Sequence, residues 1–363
     1  MSGIRYELRA ERPEEALIDD LARRHPRIGI AGLLRRRGRR ARVGRPVAPA
    51  AVESIRWALL DGWGVRWWPQ GIEVLSHRHE NDQHDGERRD ELLVVSWFAQ
   101  KVRGISQGAR ISVIDRRDPR RPRYHHVLLV EPTRGADGTL GFAPVNIHAG
   151  GLARVGDVLY AAATFEGLRR FDLRDILRVN GRAPFGYRCV LPQSGHETLH
   201  GGEGDERMRF SFVSVERSAS TGAAKREHLV IGEFGAEGLP RRLGRVPVVD
   251  SRAAPQTVDI IDIEEPKIPR MQGAAVIAGT WFVSASDGLQ PGDLWVGARV
   301  DAASGLAWRR HRHVLPIGPE DLAVSADGER LWSLCEYPRH RAVYALDARR
   351  WADERSSAGT SAV

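Results

Sequence analysis

From about residue 52 onward, short apolar runs are punctuated by Gly, Pro or Asp, a pattern of strands and turns rather than helices. One unit recurs. "DVLYAAATFEGLRRFDL" (157–173), "EHLVIGEFGAEGLPRRLGRV" (227–246), "GTWFVSASDGLQPGDLWVGARV" (279–300) and "ERLWSLCEYPRHRAVYALD" (329–347) each hold an apolar strand, a turn and a second strand. A small or acidic residue stands near the end of the first strand: Thr164, Glu233, Ser286 or Asp287, and Glu336. "DELLVVSWFAQKVRGISQGARISVID" (90–115) is the same unit with a longer turn. Another short run precedes each pair: "WWPQGIEVL" (67–75), "VNIHAGGLA" (145–153), "RFSFVSVER" (209–217), "RMQGAAVI" (270–277) and "GPEDLAVS" (318–325). A fourth strand follows several units, as in "RYHHVLLVEP" (123–132) and "RRHRHVLPI" (309–317).

The pattern predicts an all-β chain, a five-bladed β-propeller with four-stranded antiparallel blades. A β-sandwich does not account for the repeated unit. The last unit lacks an outer strand, and "VESIRWALL" (52–60) is the predicted donor that closes the ring. Residues 13–24 predict a short amphipathic helix with Leu17, Ile18 and Leu21 on one side. The organisation is then an N-terminal helix and basic arm (1–50), one propeller domain (51–351) and a flexible C-terminal tail (352–363). Deleting 50–62 is expected to destroy cooperative unfolding, and deleting 1–40 is not.

In such a ring the first strand of each unit lines a central channel, where glycine lets backbones approach. Gly71, Gly150, Gly151 and Gly273 fall at similar places in three units. Beside them stand Gln70, His148 and Gln272, with Glu320 and Asp321 in the last unit and Ser211 or Ser214 in the third. These polar residues converge on one volume. His148 is the candidate metal ligand or general base, and Glu320 the candidate ligand or acid/base. Gln70, Gln272 and Asp321 are candidates to orient an oxygen-rich small molecule. Trp68, with Trp67, is the first choice for stacking on a sugar. One divalent metal ion is the cofactor this set would take. A plug of mutually hydrogen-bonded polar residues is the structural alternative.

Charge alters the picture little. The net charge is +8, but "RRRGRRARVGR" (35–45) holds seven arginines and no acid, so the rest of the chain is nearly neutral. No aromatic residue interleaves that run, so it reads as a solvated arm and nucleic acid is not an expected partner. Lysine is confined to Lys101, Lys225 and Lys267. No stretch has the length of a membrane span, and the N-terminus lacks the apolar segment of an export signal, so a cytoplasmic monomer is the expectation. Cys189 and Cys335 fall in units that are not neighbours, which argues against a disulfide.

Four other groups stand outside that set. "HETLH" (196–200) matches the H-E-x-x-H pattern of zinc peptidases, but flanking glycines and the missing apolar face predict a loop rather than the required helix. "SHRHENDQHDGERRDE" (76–91) groups His77, His79 and His84 in a polar insertion that reads as a solvated loop, with His77 or His79 joining the site if it overhangs the channel. His311 and His313 alternate on an outer strand and read as solvent-facing. Trp281, Trp295 and Trp332 read as packing between blades.

The motifs "WWPQGI", "NIHAGGL", "RMQGAAV" and "PEDLAVSADGERLWSLCEYP", spread over about residues 65–350, resemble those of a family of bacterial five-bladed propeller proteins, many secreted and most without an assigned activity. The resemblance implies the fold and a polar central site, and it supplies no reaction. Similar-looking propellers of the gluconolactonase and strictosidine-synthase type have six blades and an axial metal, an analogy for metal-assisted lactone or ester chemistry. The expectation is therefore a hydrolase or lactonase-like enzyme, and the rival is a non-catalytic scaffold for a protein, glycan or polyanion.

Overall fold

The computed structural model describes residues 5–11, 14–76, 91–181, 183–201, 207–216, 227–235, 238–248, 256–299 and 305–353. The N-terminal segment holds β1 (Glu7–Ala10), α1 (Glu15–Arg24), α2 (Gly29–Leu34), β2 (Arg39–Arg40) and β3 (Arg42–Val43), then β4 (Ala51–Arg56) and α3 (Leu59–Trp63). Next come β5 (Trp67–Ser76), β6 (Glu91–Ala99), β7 (Ala109–Asp115) and β8 (Arg123–Arg134), with β9 (Leu140–Pro144) hairpinned onto β8. The chain continues through β10 (Leu152–Val155), β11 (Val158–Ala163), β12 (Gly167–Asp172), β13 (Leu177–Arg178) and β14 (Cys189–His200). Then follow β15 (Phe212–Glu216), β16 (His228–Gly232), β17 (Leu243–Pro247), β18 (Thr257–Asp259) and β19 (Ile261–Glu264). The last elements are β20 (Met271–Ile277), β21 (Thr280–Asp287), β22 (Gln290–Arg299), β23 (Leu306–His311), β24 (Pro319–Val324), β25 (Arg330–Cys335), β26 (Ala342–Asp347) and α4 (Ala348–Asp353).

The strands form antiparallel meanders in the orders β5-β6-β7-β8, β10-β11-β12-β14, β15-β16-β17-β19, β20-β21-β22-β23 and β24-β25-β26-β4. A short parallel pairing of β14 with β8 joins the first two into one continuous sheet. The leading strands touch in a closed cycle: β5 meets β10, β10 meets β15, β15 meets β20, β20 meets β24, and β24 meets β5. The result is a propeller-like, all-β ring. Apolar layers separate consecutive meanders. Ile72, Trp97, Trp332 and Val343 fill the layer between the first and last, and Phe212, Met271, Trp281 and Val283 the layer between the third and fourth. Of the predicted donor 52–60, only the first half closes the ring: β4 pairs antiparallel with β26, Glu53 opposite Ala345, and Leu59 and Leu60 begin α3.

Four expectations need correction. Residues 35–50 are not a loose arm: β2 pairs with β8 and β3 with β4, so the arginine run is pinned to the ring. Nor is the segment before it dispensable, because β1 pairs with both β14 and β18, and Leu8, Ile18, Leu21 and Leu33 are buried in the core. The run 145–151 is an irregular connector, and its strand begins only at Leu152. His311 is half-buried, its ring edge-on to Trp351 at 4.9 Å, whereas His313 is exposed as expected but lies beyond the end of β23, near Asp287 at 3.5 Å. Cys189 and Cys335 are both buried thiols, on β14 and β25.

Leu21 packs into a cluster with Leu128, Val130, Leu177 and Val190. Leu21→Ala is therefore expected to lower unfolding free energy by about 2–4 kcal/mol, read from urea denaturation. An unchanged midpoint would return α1 to the status of a detachable arm.

Candidate functional site

Glycine and one carboxylate build the inner wall. A Cβ on Gly151 would lie 2.2 Å from the Val213 nitrogen, and one on Gly273 would lie 2.5 Å from the Asp321 Cα, so neighbouring leading strands are in backbone contact there. Ser96 joins two of them: the Gly71 N–H donates to its Oγ and the hydroxyl donates to the Ala149 carbonyl, both at 2.7 Å. Ala149 itself has a φ of 54°, which turns the connector inward just after His148.

Asp321 lies below the channel surface. It is 0 % exposed, and its Oδ2 accepts from the Ile72 N–H at 3.0 Å and the Leu152 N–H at 3.1 Å. Burial pushes its carboxyl well above the usual range, against the pull of those backbone donors. Asp321 is thus a strap between β24, β5 and β10 rather than a group that orients a substrate. Glu73 works the same way, accepting from the Val74 N–H at 2.8 Å and the Arg154 N–H at 2.9 Å.

Glu320, 2 % exposed, has a carboxyl pushed well up by burial, then by Glu336 and Asp321. Glu336 follows β25 directly and accepts a 2.9 Å hydrogen bond from Gln70 Nε2. Burial raises its carboxyl too, more than the Gln70 bond and Arg341 lower it. Arg341 is held by the Glu336 carbonyl at 2.6 Å and the Asp61 carbonyl at 3.0 Å, and it sits 5.3 Å over the Trp68 ring. Tyr337 meets Trp68 edge-on at 6.0 Å. Trp68, Gln70 and Glu320 therefore come together, with Glu336, Tyr337 and Arg341 as members that sequence reasoning left out. The small or acidic position near the end of the first strand of each repeated pair was the signal for Glu336.

His148 and Gln272 are not bonded to the members of this group. The His148 ring is open to solvent on one side and stacks 4.3 Å from Phe98. Desolvation by its walls lowers its pKa, and no carboxylate opposes that shift. Gln272 is half-buried on β20, with Nε2 3.4 Å from Ser286 Oγ. Among the described residues no three His, Cys, Asp or Glu side chains gather so as to hold a metal ion. The set expected to bind a divalent ion, His148 with Glu320, does not fit one.

"HETLH" is strand, not loop or helix. It ends β14, where His196 and His200 lie across from β12 and β1, and His196 Nε2 contacts Glu11 at 2.8 Å. Extended backbone cannot set two histidines one helical turn apart, so the peptidase geometry is absent. His77, His79 and His84 lie outside the described residues.

A second polar chain is buried under α3. Ser112 Oγ lies 2.8 Å from His126 Nδ1, and His126 Nε2 lies 3.1 Å from Asp61 Oδ1. The order matches a nucleophile, base and acid, yet the surroundings seal it. Trp97 Nε1 donates to Ser112 Oγ at 2.7 Å, and Ser112 is 0 % exposed. Burial, reinforced by Arg110, drops His126 to about 3, so it is neutral and a poor base. Asp61 also accepts from Tyr124 at 2.7 Å and Arg39 at 2.8 Å. This network fixes α3 to the ring.

No family profile matches the chain, and no curated protein matches it. Among solved structures, a glutaminyl cyclase from Myxococcus xanthus aligns over 86 % of this chain and 100 % of its own, with 12 % identity and a TM-score of 0.35. The Dos1 propeller aligns over 80 % of this chain and 77 % of its own, with 10 % identity and a TM-score of 0.31. Likeness at that level carries no argument about activity. No described helix is long and apolar enough to cross a membrane.

Glu320 keeps its proton to higher pH when folded than when unfolded. Its contribution to stability is complete below the ordinary carboxylate pKa and is lost as pH rises through the raised folded value. Glu320→Gln removes that loss. Its Tm is expected to overtake the wild type's as pH rises from the ordinary carboxylate range through the raised folded value, by about 2–4 °C per kcal/mol relieved. Parallel Tm curves in calorimetry would show that Glu320 does not titrate in that window.

Proposed function

We propose that the ring is a five-bladed propeller whose channel mouth hydrolyses a small, hydroxylated lactone or ester by acid–base chemistry. The closed cycle of β5, β10, β15, β20 and β24 supports the blade count. The observation that carries the chemistry is the pair of elevated carboxyls, Glu320 and Glu336, beside the Gln70 amide and next to Trp68. Burial that favours the neutral carboxyl is what a general acid requires. Glu336 is the more accessible of the two and is the donor in this reading. Gln70 orients it, and Glu320 supports retention of the proton.

His148, neutral because its pKa is lowered, accepts a proton from the attacking water. Water oxygen bonds to the carbonyl carbon, and the tetrahedral adduct collapses as the ring or ester C–O bond breaks. The departing alkoxide takes the carboxyl proton, and His148 returns its own proton to the carboxylate through solvent. Trp68 and Tyr337 form an aromatic edge for the substrate's apolar face, and Gln272 with Ser286 supplies hydrogen bonds to its hydroxyls.

The test is a pH-indicator assay over a panel of sugar lactones and small esters. Glu336→Gln is expected to reduce kcat about 100-fold or more with Tm retained. Activity should fall at high pH as the carboxyl pair ionises, and at low pH only below the ordinary histidine range, where His148 gains its proton. A wild-type protein inert across the panel, or an undiminished Glu336→Gln variant, would overturn the reading.

A further inference from the structure

Outside the channel, β2, β3 and the turn between β7 and β8 enclose a groove of about 680 Å³. Its lining is five arginines, Arg40, Arg42, Arg120, Arg121 and Arg123, with three apolar residues and no acid. The backbone that carries them is fixed. The Ala41 N–H donates to the Pro122 carbonyl at 3.0 Å, Arg40 lies directly opposite Arg123 in the β2–β8 pairing, and Arg42 lies opposite Arg56. The Asp118 carbonyl accepts from the Arg121 N–H at 3.0 Å and shapes the turn.

Arginines bordering this groove are matched. Arg39 pairs with Asp61 at 2.8 Å, Arg116 with Glu53 at 2.6 Å and Arg117 with Asp115 at 2.7 Å. By contrast, the Arg40, Arg42, Arg120 and Arg121 side chains are exposed and make no hydrogen bond or ion pair with any described residue. Like charges facing each other across paired strands repel, so the ring carries a standing electrostatic penalty here. An external anion relieves it.

We infer that this groove binds a compact ligand carrying a chain of phosphates. Guanidinium forks match phosphate oxygens two at a time, and arginines on both walls can hold several phosphates at once. The groove has no aromatic side chain on which a base could stack, which points to the phosphate chain itself as the recognised element. Free inorganic polyphosphate and the tail of a nucleoside triphosphate share that chemistry.

Isothermal titration with sodium tripolyphosphate tests the inference, alongside ATP. Arg42→Gln/Arg121→Gln is expected to weaken tripolyphosphate binding at least about tenfold, and raising salt from about 50 to about 200 mM should weaken wild-type binding several-fold. Arg312→Gln, an exposed arginine elsewhere, should stay within about twofold. The double variant should also show an equal or higher Tm without ligand, because repulsion is removed, and lose the Tm rise that the ligand gives the wild type. Equal affinity for tripolyphosphate and ATP marks the phosphate chain as the whole determinant. Tighter ATP binding marks a nucleotide as the source. No binding at about 1 mM, or full binding by the double variant, overturns the inference. So does a duplex DNA or phosphatidylserine vesicle that binds the same arginines more tightly than tripolyphosphate. None of these residues lies in the channel, so the result is independent of the hydrolase reading.

Discussion

Backbone contact at the axis is the constraint from which the rest of this ring follows. Where Gly151 meets Val213 and Gly273 meets Asp321, no space remains for a side chain between strands. Strands that close are too near for a packed apolar layer, so polar groups must hold them. Asp321, Glu73 and Ser96 do so by accepting from, or donating to, the backbones of adjacent leading strands. Ser284 adds a bond to the Glu320 carbonyl at 2.6 Å. These bonds leave ionisable groups in a region from which water is largely removed, and the elevated carboxyls are the direct result.

The sectors of the ring treat the same repeat position differently. At the end of β16, Glu233 is neutralised by Arg242 at 2.7 Å and accepts from the Arg209 N–H at 2.9 Å. At the corresponding end of β25, Glu336 receives only an amide, and Arg341 beside it is turned to backbone carbonyls. One sector is therefore closed by an ion pair, and in the other burial favours the neutral carboxyl.

Much of the architecture was legible because period-two strands and Gly-marked turns are local signals. The pairs β11–β12, β16–β17, β21–β22 and β25–β26 fall where the repeats put them, and so does the closing β4. Positions that depend on distant partners were not legible. Asp321 reads as a channel residue until two N–H groups from β5 and β10 are found on its Oδ2. "HETLH" reads as a loop because its glycines look like breakers, whereas pairing with β1 and β12 keeps it extended. The Arg-rich run reads as solvated because charge and short length hide strands that exist only by pairing to the ring. Trp68 and Gln70 are near neighbours in sequence, but Glu336, bonded to Gln70, is more than 260 positions away.

The pairing of β4 with β26 also sets a timetable. Glu53 waits for Ala345, about 290 residues later in the chain. At ordinary rates of synthesis that interval is roughly 15–60 s. Through it, β4 must stay unpaired on the side that will receive β26. Its other side is already covered by β3, whose Arg42 and Val43 form a hairpin with Ile55 and Arg56. A guanidinium beside an unpaired edge discourages strangers from adding a strand. β4 is not alone in waiting, since β1 has no partner until β14 and then β18 are made.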